Sequence, residues 1–469
     1  MDYFLISQLL NPLQALQGNT KTLETNIFLE HKKKLNVRAK TMDIGGDYNF
    51  YQEIHILGRS FLFFTNADAM GKSLQGAGGA IVYGASLKSQ LMRYQFNKNE
   101  INLPELWLRE IFYDLQDIFA SFDCNMLMSG IIGLVDLQNY ICYYINAEHP
   151  YPVLWRDNKA SFLPHKHILK KVGTPQAFLP EFSIEVVKLS ENDTLILGSD
   201  GRDDILLTQA LKKYLKENKV DLSQTDGTSA KSVESSLNDD EQLFLKIVEI
   251  ANGDIKEVSN IIKTYSQTTD DLSLVSLKMN NPNKEGLPPI DESFLKEVSN
   301  LYRQNEYDSA LKLLNSEFNK QPFDIFNVTL MNLLIKLYKK LNLVQQAEIL
   351  EYLIYFLKPE NERFLQARVE KNMKKKQWGI AADFIEVLRI RYPHNHYYSL
   401  LSAQIFYEKG VLEKARNLLV SVKESSGEQF LPEITALEEL ISEKEKISKK
   451  INNEEYSFWS KLFDHDLKK

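Results

Sequence analysis

The chain has 469 residues, 43% of them hydrophobic and 25% charged, and a formal net charge of −7. That length exceeds what one hydrophobic core usually serves, so two or more domains are expected. The acidic balance, relieved only by short basic runs such as His31-Lys32-Lys33-Lys34 and Lys374-Lys375-Lys376, argues against nucleic acid as a partner.

Two cysteines, Cys124 and Cys142, suit reduced thiols and a cytoplasmic address. No apolar run approaches the roughly 18 residues of a membrane span, and Met1-Asp2-Tyr3 lacks the basic start of a signal peptide.

Leu5, Leu9, Leu10, Leu13 and Leu16 recur at near-helical spacing and predict a lead-in helix within 1–35. Between 36 and 280 the pattern changes to short β-rich runs at 61–65, 130–136, 140–146, 152–156, 184–189, 194–198 and 272–278. Helical windows fall between them, near 75–95, 104–122, 205–217 and 241–266. Leu137-Gln138-Asn139 and Ser190-Glu191-Asn192-Asp193 read as hairpin turns, so an antiparallel sheet and the α+β class are predicted. The aperiodic, polar stretch 221–240 reads as a mobile surface insertion.

The breaker-rich stretch 281–290 predicts a linker, and a cut near Asn280 is expected to leave a folded catalytic domain. Beyond it the chain repeats itself. Tyr307-x-x-Ala310, Val344-x-x-Ala347, Trp378-x-x-Ala381 and Leu412-x-x-Ala415 place alanines 37, 34 and 34 residues apart, and Pro322, Pro359 and Pro393 each follow an alanine by twelve residues. A small residue lets two helices approach closely, and a proline ends the second of them. Tetratricopeptide-like repeats are therefore expected over 291–427, closed by a capping helix within 428–469 that carries Ile434, Leu437, Leu440 and Ile441.

Four acidic sites stand where a β-run meets a turn: Gly45-Gly46-Asp47, Ala67-Asp68-Ala69-Met70-Gly71-Lys72, Gly198-Ser199-Asp200-Gly201 and Thr269-Asp270-Asp271-Leu272. Each alone is an ordinary turn sequence. Aspartates at the ends of four strands can converge on one rim, where buried carboxylates call for hard divalent cations.

These motifs, together with Asn146-Ala147-Glu148-His149-Pro150, stand in the order of the SpoIIE-like branch of the PPM protein phosphatases, which this part of the chain resembles. The resemblance implies a sandwich of two antiparallel sheets flanked by helices, with two Mn²⁺ or Mg²⁺ ions at one edge. It implies that Asp68 bridges the ions, that the Ala69 carbonyl helps hold one, that Asp200 and Asp270 bind the first, and that Asp47 binds the second directly or through water. A dimetal-bound hydroxide would attack phosphorus in line, releasing serine or threonine as the alcohol.

The chain departs from the family pattern at Gly46, where eukaryotic relatives carry an acid, at Glu148 in place of a glycine, and at Ser73. His149 reads as a turn residue or as an acid to the leaving group, Lys72 as a phosphate contact or a solvated helix-start lysine, and Asp204 as a helix N-terminal acid or a further cation ligand. By resemblance, the substrate class is a phosphorylated STAS-type anti-sigma-factor antagonist in bacterial signalling. The repeats are expected to bind a protein partner, and a homodimer is left open. The alternative function is a catalytically silent phosphatase-fold scaffold acting through its repeats.

Overall fold

The computed structural model describes residues 2–14, 22–37, 40–71, 74–96, 103–163, 165, 168–175, 181–220, 235–280, 289–320, 327–427 and 429–446. They pack as two compact units, Met1–Glu360 and Asn361–Lys469.

In the first unit the chain runs α1 (Asp2–Leu13), β1 (Leu23–Glu30), β2 (Lys33–Val37), β3 (Lys40–Ile44), β4 (Asp47–Ile56), β5 (Arg59–Ala69), α2 (Leu74–Phe96) and α3 (Pro104–Ala120). There follow β6 (Met128–Asp136), β7 (Ile141–Ala147), β8 (Val153–Arg156), β9 (Lys159–Phe162), β10 (Glu185–Lys188), β11 (Thr194–Gly198) and β12 (Leu206–Thr208). Next come α4 (Gln209–Glu217), β13 (Ser235–Leu237), α5 (Gln242–Ile250), α6 (Ile255–Tyr265) and β14 (Leu272–Met279). Two helix pairs complete the unit: α7 (Glu292–Arg303) with α8 (Tyr307–Lys320), and α9 (Val328–Lys340) with α10 (Val344–Leu353), the latter ending in a 3-10 turn at Ile354–Leu357.

Two antiparallel five-stranded sheets, ordered β1-β14-β11-β8-β9 and β10-β7-β6-β5-β4, face each other. Leu62, Phe64, Ile131 and Val135 from one meet Leu195, Leu197, Val275 and Leu277 from the other in a shared core. Helices α2 and α3 cover the outer face of the second sheet, and α4 to α6 cover the first around Phe244, Ile247, Val258 and Ile262. Strands β6 and β7 are buried on both faces, which explains why they read as continuous apolar runs rather than as alternating ones. This is the α+β two-sheet sandwich flanked by helices that the motifs led us to expect.

Three local expectations change. Residues 1–35 are not simply a lead-in helix, because Leu23–Glu30 form β1, paired along its whole length with β14. Its residues alternate across the sheet, Ile27 toward the inter-sheet core and Phe28 toward the helices outside. The turn 190–193 is not a hairpin: β10 pairs with β7 and β11 with β14, so the chain crosses between sheets there. The crossing is pinned by Asp193, which accepts the Ser190 N–H at 2.6 Å and two bonds from Arg156 at 2.8 and 2.5 Å. The window 241–266 is two helices, broken where Asn252 and Gly253 take left-handed φ values of 51° and 77°. Of the expected insertion, 221–234 lie outside the described residues.

The expected linker at 281–290 falls mostly outside them too, as does Pro322, but helices α7 to α10 pack within the first unit. The 3-10 turn anchors them. Fully buried Tyr355 donates to Glu105 Oε1 at 2.7 Å and lies 3.3 Å from the Tyr143 hydroxyl. Phe356 packs on Phe61, with ring centroids 6.0 Å apart. The Arg59 guanidinium stands 4.8 Å over the Phe356 ring while pairing with buried Asp136 at 2.7 Å. A cut at Asn280 would remove this plug, so a catalytic piece ending there is not the packed unit the structure shows.

The second unit is helical: α11 (Glu362–Lys374), α12 (Trp378–Arg391), α13 (His396–Lys409), α14 (Leu412–Ser426) and a helical stretch over 431–446. Buried Glu386 on α12 accepts from Ser402 of α13 at 2.9 Å and from Lys414 of α14 at 3.3 Å, tying three helices together. Ala310, Ala347, Ala381 and Ala415 each occupy the fourth position of α8, α10, α12 and α14, and each is fully buried. Among the described residues no helix is long and apolar enough to cross a membrane.

Candidate metal centre

The sandwich brings the four sequence-predicted aspartates to one edge. Asp47 opens β4 and Asp68 stands one residue from the end of β5, and the two are direct cross-strand partners. On the other sheet, Asp200 follows the last residue of β11 and Asp270 precedes β14, which is β11's antiparallel neighbour. A strand end is where a side chain can leave the sheet without a ladder bond being broken, and the flanking small residues keep the rim open.

Burial and mutual repulsion shape this edge. Asp47 is 1% exposed, and its carboxyl is pushed well above the ordinary range, first by burial and then by the nearby Asp271 charge. Burial raises Asp68 too, and the charges of Asp47, Asp200 and Asp270 raise it further. Asp200 is pushed up to about 6 by desolvation and by Asp204 and Asp270, though its own side chain is open to water on one side, which screens the effect.

The donor set is all hard oxygen, and its unrelieved negative charge is what a divalent cation neutralises, so the residues present fit Mn²⁺ or Mg²⁺. Among the described residues no group of three His, Cys, Asp or Glu side chains already closes into a coordination shell. The carboxylates are electrostatic neighbours, and those of Asp68 and Asp47 share a side-chain hydrogen bond.

Gly46 is required by close approach. A Cβ there would lie 2.6 Å from the Ala69 carbonyl oxygen and 2.8 Å from Asp68 Oδ1, so this backbone has no room for the acid that eukaryotic relatives carry. Gly201 is equally confined, because a Cβ would meet the Asp271 carbonyl oxygen.

Several residues that frame the site had no role in the sequence reading. Fully buried Ser199 donates to Asp47 Oδ2 at 2.7 Å and accepts the Ser273 N–H at 3.1 Å, joining the two sheets across the rim. Asp271 accepts from the Lys32 N–H at 2.6 Å and the Gly46 N–H at 3.3 Å, and pairs with His31 Nδ1 at 3.2 Å. Burial alone would raise its carboxyl; these partners hold it below the ordinary value. Asp271 therefore clamps the β1–β2 turn to the Gly46 loop. Its partners lie about 225 to 240 residues away in sequence, so no local pattern marked it.

His149 is buried in a polar network. Its Nε2 lies 2.7 Å from Asn66 Oδ1 and its Nδ1 3.1 Å from Ser129 Oγ, while Asn66 reaches Asn49 at 2.6 Å and Ser273 at 2.9 Å. Asn146 closes the turn by bonding both the N–H and the carbonyl of His149 at 2.8 Å. Burial first, then the Arg202 and Lys171 charges, lower its pKa to about 3, so the ring is neutral at physiological pH. Asp204 ties its turn to the Asp270 loop, its carbonyl accepting the Thr269 N–H at 2.8 Å. Lys72 and Ser73 lie outside the described residues.

Residues 59–280 match the family model described as Stage II sporulation protein E (SpoIIE). A search of the curated proteins finds no match. Among solved structures the chain is similar to the RsbU and RsbW domains of a Mycobacterium tuberculosis protein, at 13% identity and a TM-score of 0.35, covering 60% of this chain and 69% of that one. It is similar to the PP2C phosphatase domain, with a regulatory fragment, of SpoIIE from Bacillus subtilis, at 16% identity and a TM-score of 0.35, covering 56% of this chain and 65% of that one. It is also similar to the catalytic domain of the serine/threonine phosphatase PstP in complex with two manganese ions, at 13% identity and a TM-score of 0.33, covering 55% of this chain and 99% of that one. These distant superpositions carry no weight of their own; what is established is that residues 59–280, a little under half of the chain and the segment that bears Asp68, Asp200 and Asp270, match the SpoIIE domain model.

Proposed function

We propose that this chain hydrolyses phosphoserine and phosphothreonine in a protein substrate, with Asp47, Asp68, the Ala69 carbonyl, Asp200 and Asp270 as the ligands of two Mn²⁺ or Mg²⁺ ions. The observation that supports this reading is the placement of the four aspartates at one sandwich edge, Asp47 and Asp68 as cross-strand partners and Asp200 and Asp270 at the ends of the paired strands β11 and β14. Ions bound there would supply a water activated near neutral pH and offset charge on the phosphoryl oxygens.

The chain's own residues supply the rest. Ser199 orients Asp47 from the opposite sheet, Gly46 leaves the Ala69 carbonyl uncovered, and the Asp271 clamp fixes the loop that carries Asp270. His149 is best assigned to holding Asn66 and the 146–149 turn, because the single N–H of the buried neutral ring is committed to Asn66 Oδ1, and a neutral imidazole is too weak an acid to protonate a leaving group.

The substrate we propose is a phosphorylated STAS-type anti-sigma-factor antagonist in bacterial signalling, a reading that rests on the SpoIIE family match. We assign the sandwich from β1 at Leu23 to β14 at Met279 to the phosphatase, and 291–427 to tetratricopeptide-like pairs that bind a protein partner, supported by the four buried alanines in one register. Both cysteines are free thiols, which suits a cytoplasmic address. The second reading is a catalytically silent scaffold, in keeping with a rim at which, among the described residues, no three carboxylates stand close enough to hold an ion. Hydrolysis of p-nitrophenyl phosphate by the full chain with Mn²⁺ or Mg²⁺, lost in excess chelator, is the expected result. Undiminished hydrolysis in chelator would end the two-ion reading, and no hydrolysis with either ion would favour the scaffold.

A further inference from the structure

The proposed chemistry leaves one feature of the rim's surroundings unused, the basic run that begins at His31. It forms one wall of a cleft of about 210 Å³ between the β1–β2 turn, which supplies Glu30, His31, Lys32 and Lys34, and the end of α6 and its following loop, which supply Lys263 and Thr268. Pockets for drug-sized ligands start at about 300 Å³, so this cleft suits one or two side chains rather than a whole small molecule.

Its charges are unbalanced. Glu30 is shared by two ammonium groups, Lys34 at 3.3 Å and Lys263 at 2.7 Å, and Lys263 also lies 4.6 Å from the centroid of the Phe28 ring. The Lys32 ammonium pairs with no carboxylate among the described residues, while its backbone N–H is fixed by Asp271 at 2.6 Å. One carboxylate thus faces three lysines, a local inversion on a chain whose net charge is −7. The cleft is also joined to the rim. His31 in its wall pairs with Asp271, the neighbour of Asp270, and Thr268 and Leu272 on either side of those aspartates line it. A protein chain delivering a phosphorylated residue to the rim extends about 3.3 Å per residue, so its flanking residues pass this surface within a few positions.

We propose that the cleft is a specificity subsite that takes an acidic side chain flanking the phosphorylated serine or threonine, an inference that rests on the phosphatase reading above. A carboxylate entering it would pair with Lys32 and compete with Glu30 for Lys263, contacts that favour negative flanks and reject basic ones.

The test uses the full chain and two phosphopeptides differing only in Glu or Gln at the flanking positions. The Glu peptide should show about tenfold higher kcat/KM, carried in KM, and the preference should shrink at high salt. Lys32→Glu with Lys263→Glu should abolish or invert that ratio, and Lys32→Arg should keep it. Fluorescence anisotropy of labelled peptides in chelator reads the same preference without turnover. Equal binding and equal kcat/KM for the two peptides in the unmodified protein would overturn the subsite, as would a preference that survives the double charge reversal. A preference in anisotropy with no hydrolysis of p-nitrophenyl phosphate would support the subsite and overturn the phosphatase reading instead.

Discussion

Tyr355 is where the helix pairs and the sandwich become one unit, and removing its contacts in steps tests that directly. Tyr355→Phe deletes the hydroxyl that donates to Glu105 Oε1 at 2.7 Å, one of the contacts of a fully buried carboxyl. Losing a buried hydrogen bond to such a group costs about 1–3 kcal/mol. Tyr355→Ala also removes the ring beside Tyr143, for which large-to-small core changes cost about 3–5 kcal/mol more. Changes of 1 kcal/mol move the midpoint by about 2–4 °C in domains of 150–250 residues, and by less in a unit of this length, so urea titration is the better readout. The unfolding midpoint of the first unit should fall modestly in Tyr355→Phe and severely in Tyr355→Ala, and a chain ended at Asn280 should behave like the alanine variant or worse. Both substitutions within about 0.5 kcal/mol of the unmodified protein would show that the plug is not integral to the fold.

Ser199→Ala should raise the half-saturating Mn²⁺ concentration about 10–100-fold, because Asp47 loses its orienting donor; calorimetric titration of the metal checks this without turnover, and an unchanged affinity would remove Ser199 from the site. The raised carboxyls at the rim also set a pH dependence. In metal-free protein they keep protons that the unfolded chain has already lost, so the fold binds more protons than the unfolded state and loses stability as pH rises from about 4, through about 6 for Asp200 and beyond it for the more strongly raised Asp47 and Asp68. Thermal unfolding in chelator should show that slope, Asp68→Asn should flatten it, and saturating Mn²⁺ should reverse it; the same slope in Asp68→Asn would contradict the coupling at the rim.

The α+β class and its antiparallel pairing were legible because the strands are short apolar runs punctuated by turn residues, while the two-sheet sandwich followed from the resemblance that the ordered acidic motifs carry. Strand β1 was hidden by the leucines upstream, whose helical spacing is real over Asp2–Leu13 and ends before Leu23. The clamp at Asp271 and the bridge from Ser199 to Asp47 were invisible for a different reason. Both join residues 150 or more positions apart, and serine and histidine carry no signal of their own at such range. Tyr355 and Phe356 carried no mark of their own: an apolar run closing a repeat helix looks the same whether it packs on the next repeat or on another domain. The helix pairs themselves were legible, since Ala310, Ala347, Ala381 and Ala415 recur where two helices must touch.

The central claim is that the four aspartates hold the ions that make this chain a phosphatase. Manganese-dependent hydrolysis of p-nitrophenyl phosphate, measured side by side for the full chain and for Asp68→Asn with equal secondary structure by circular dichroism, tests it most directly. The account predicts turnover that saturates with Mn²⁺ in the unmodified protein and is lost in the variant, because Asp68 couples to all three other carboxylates. Equal turnover in the two proteins would contradict it.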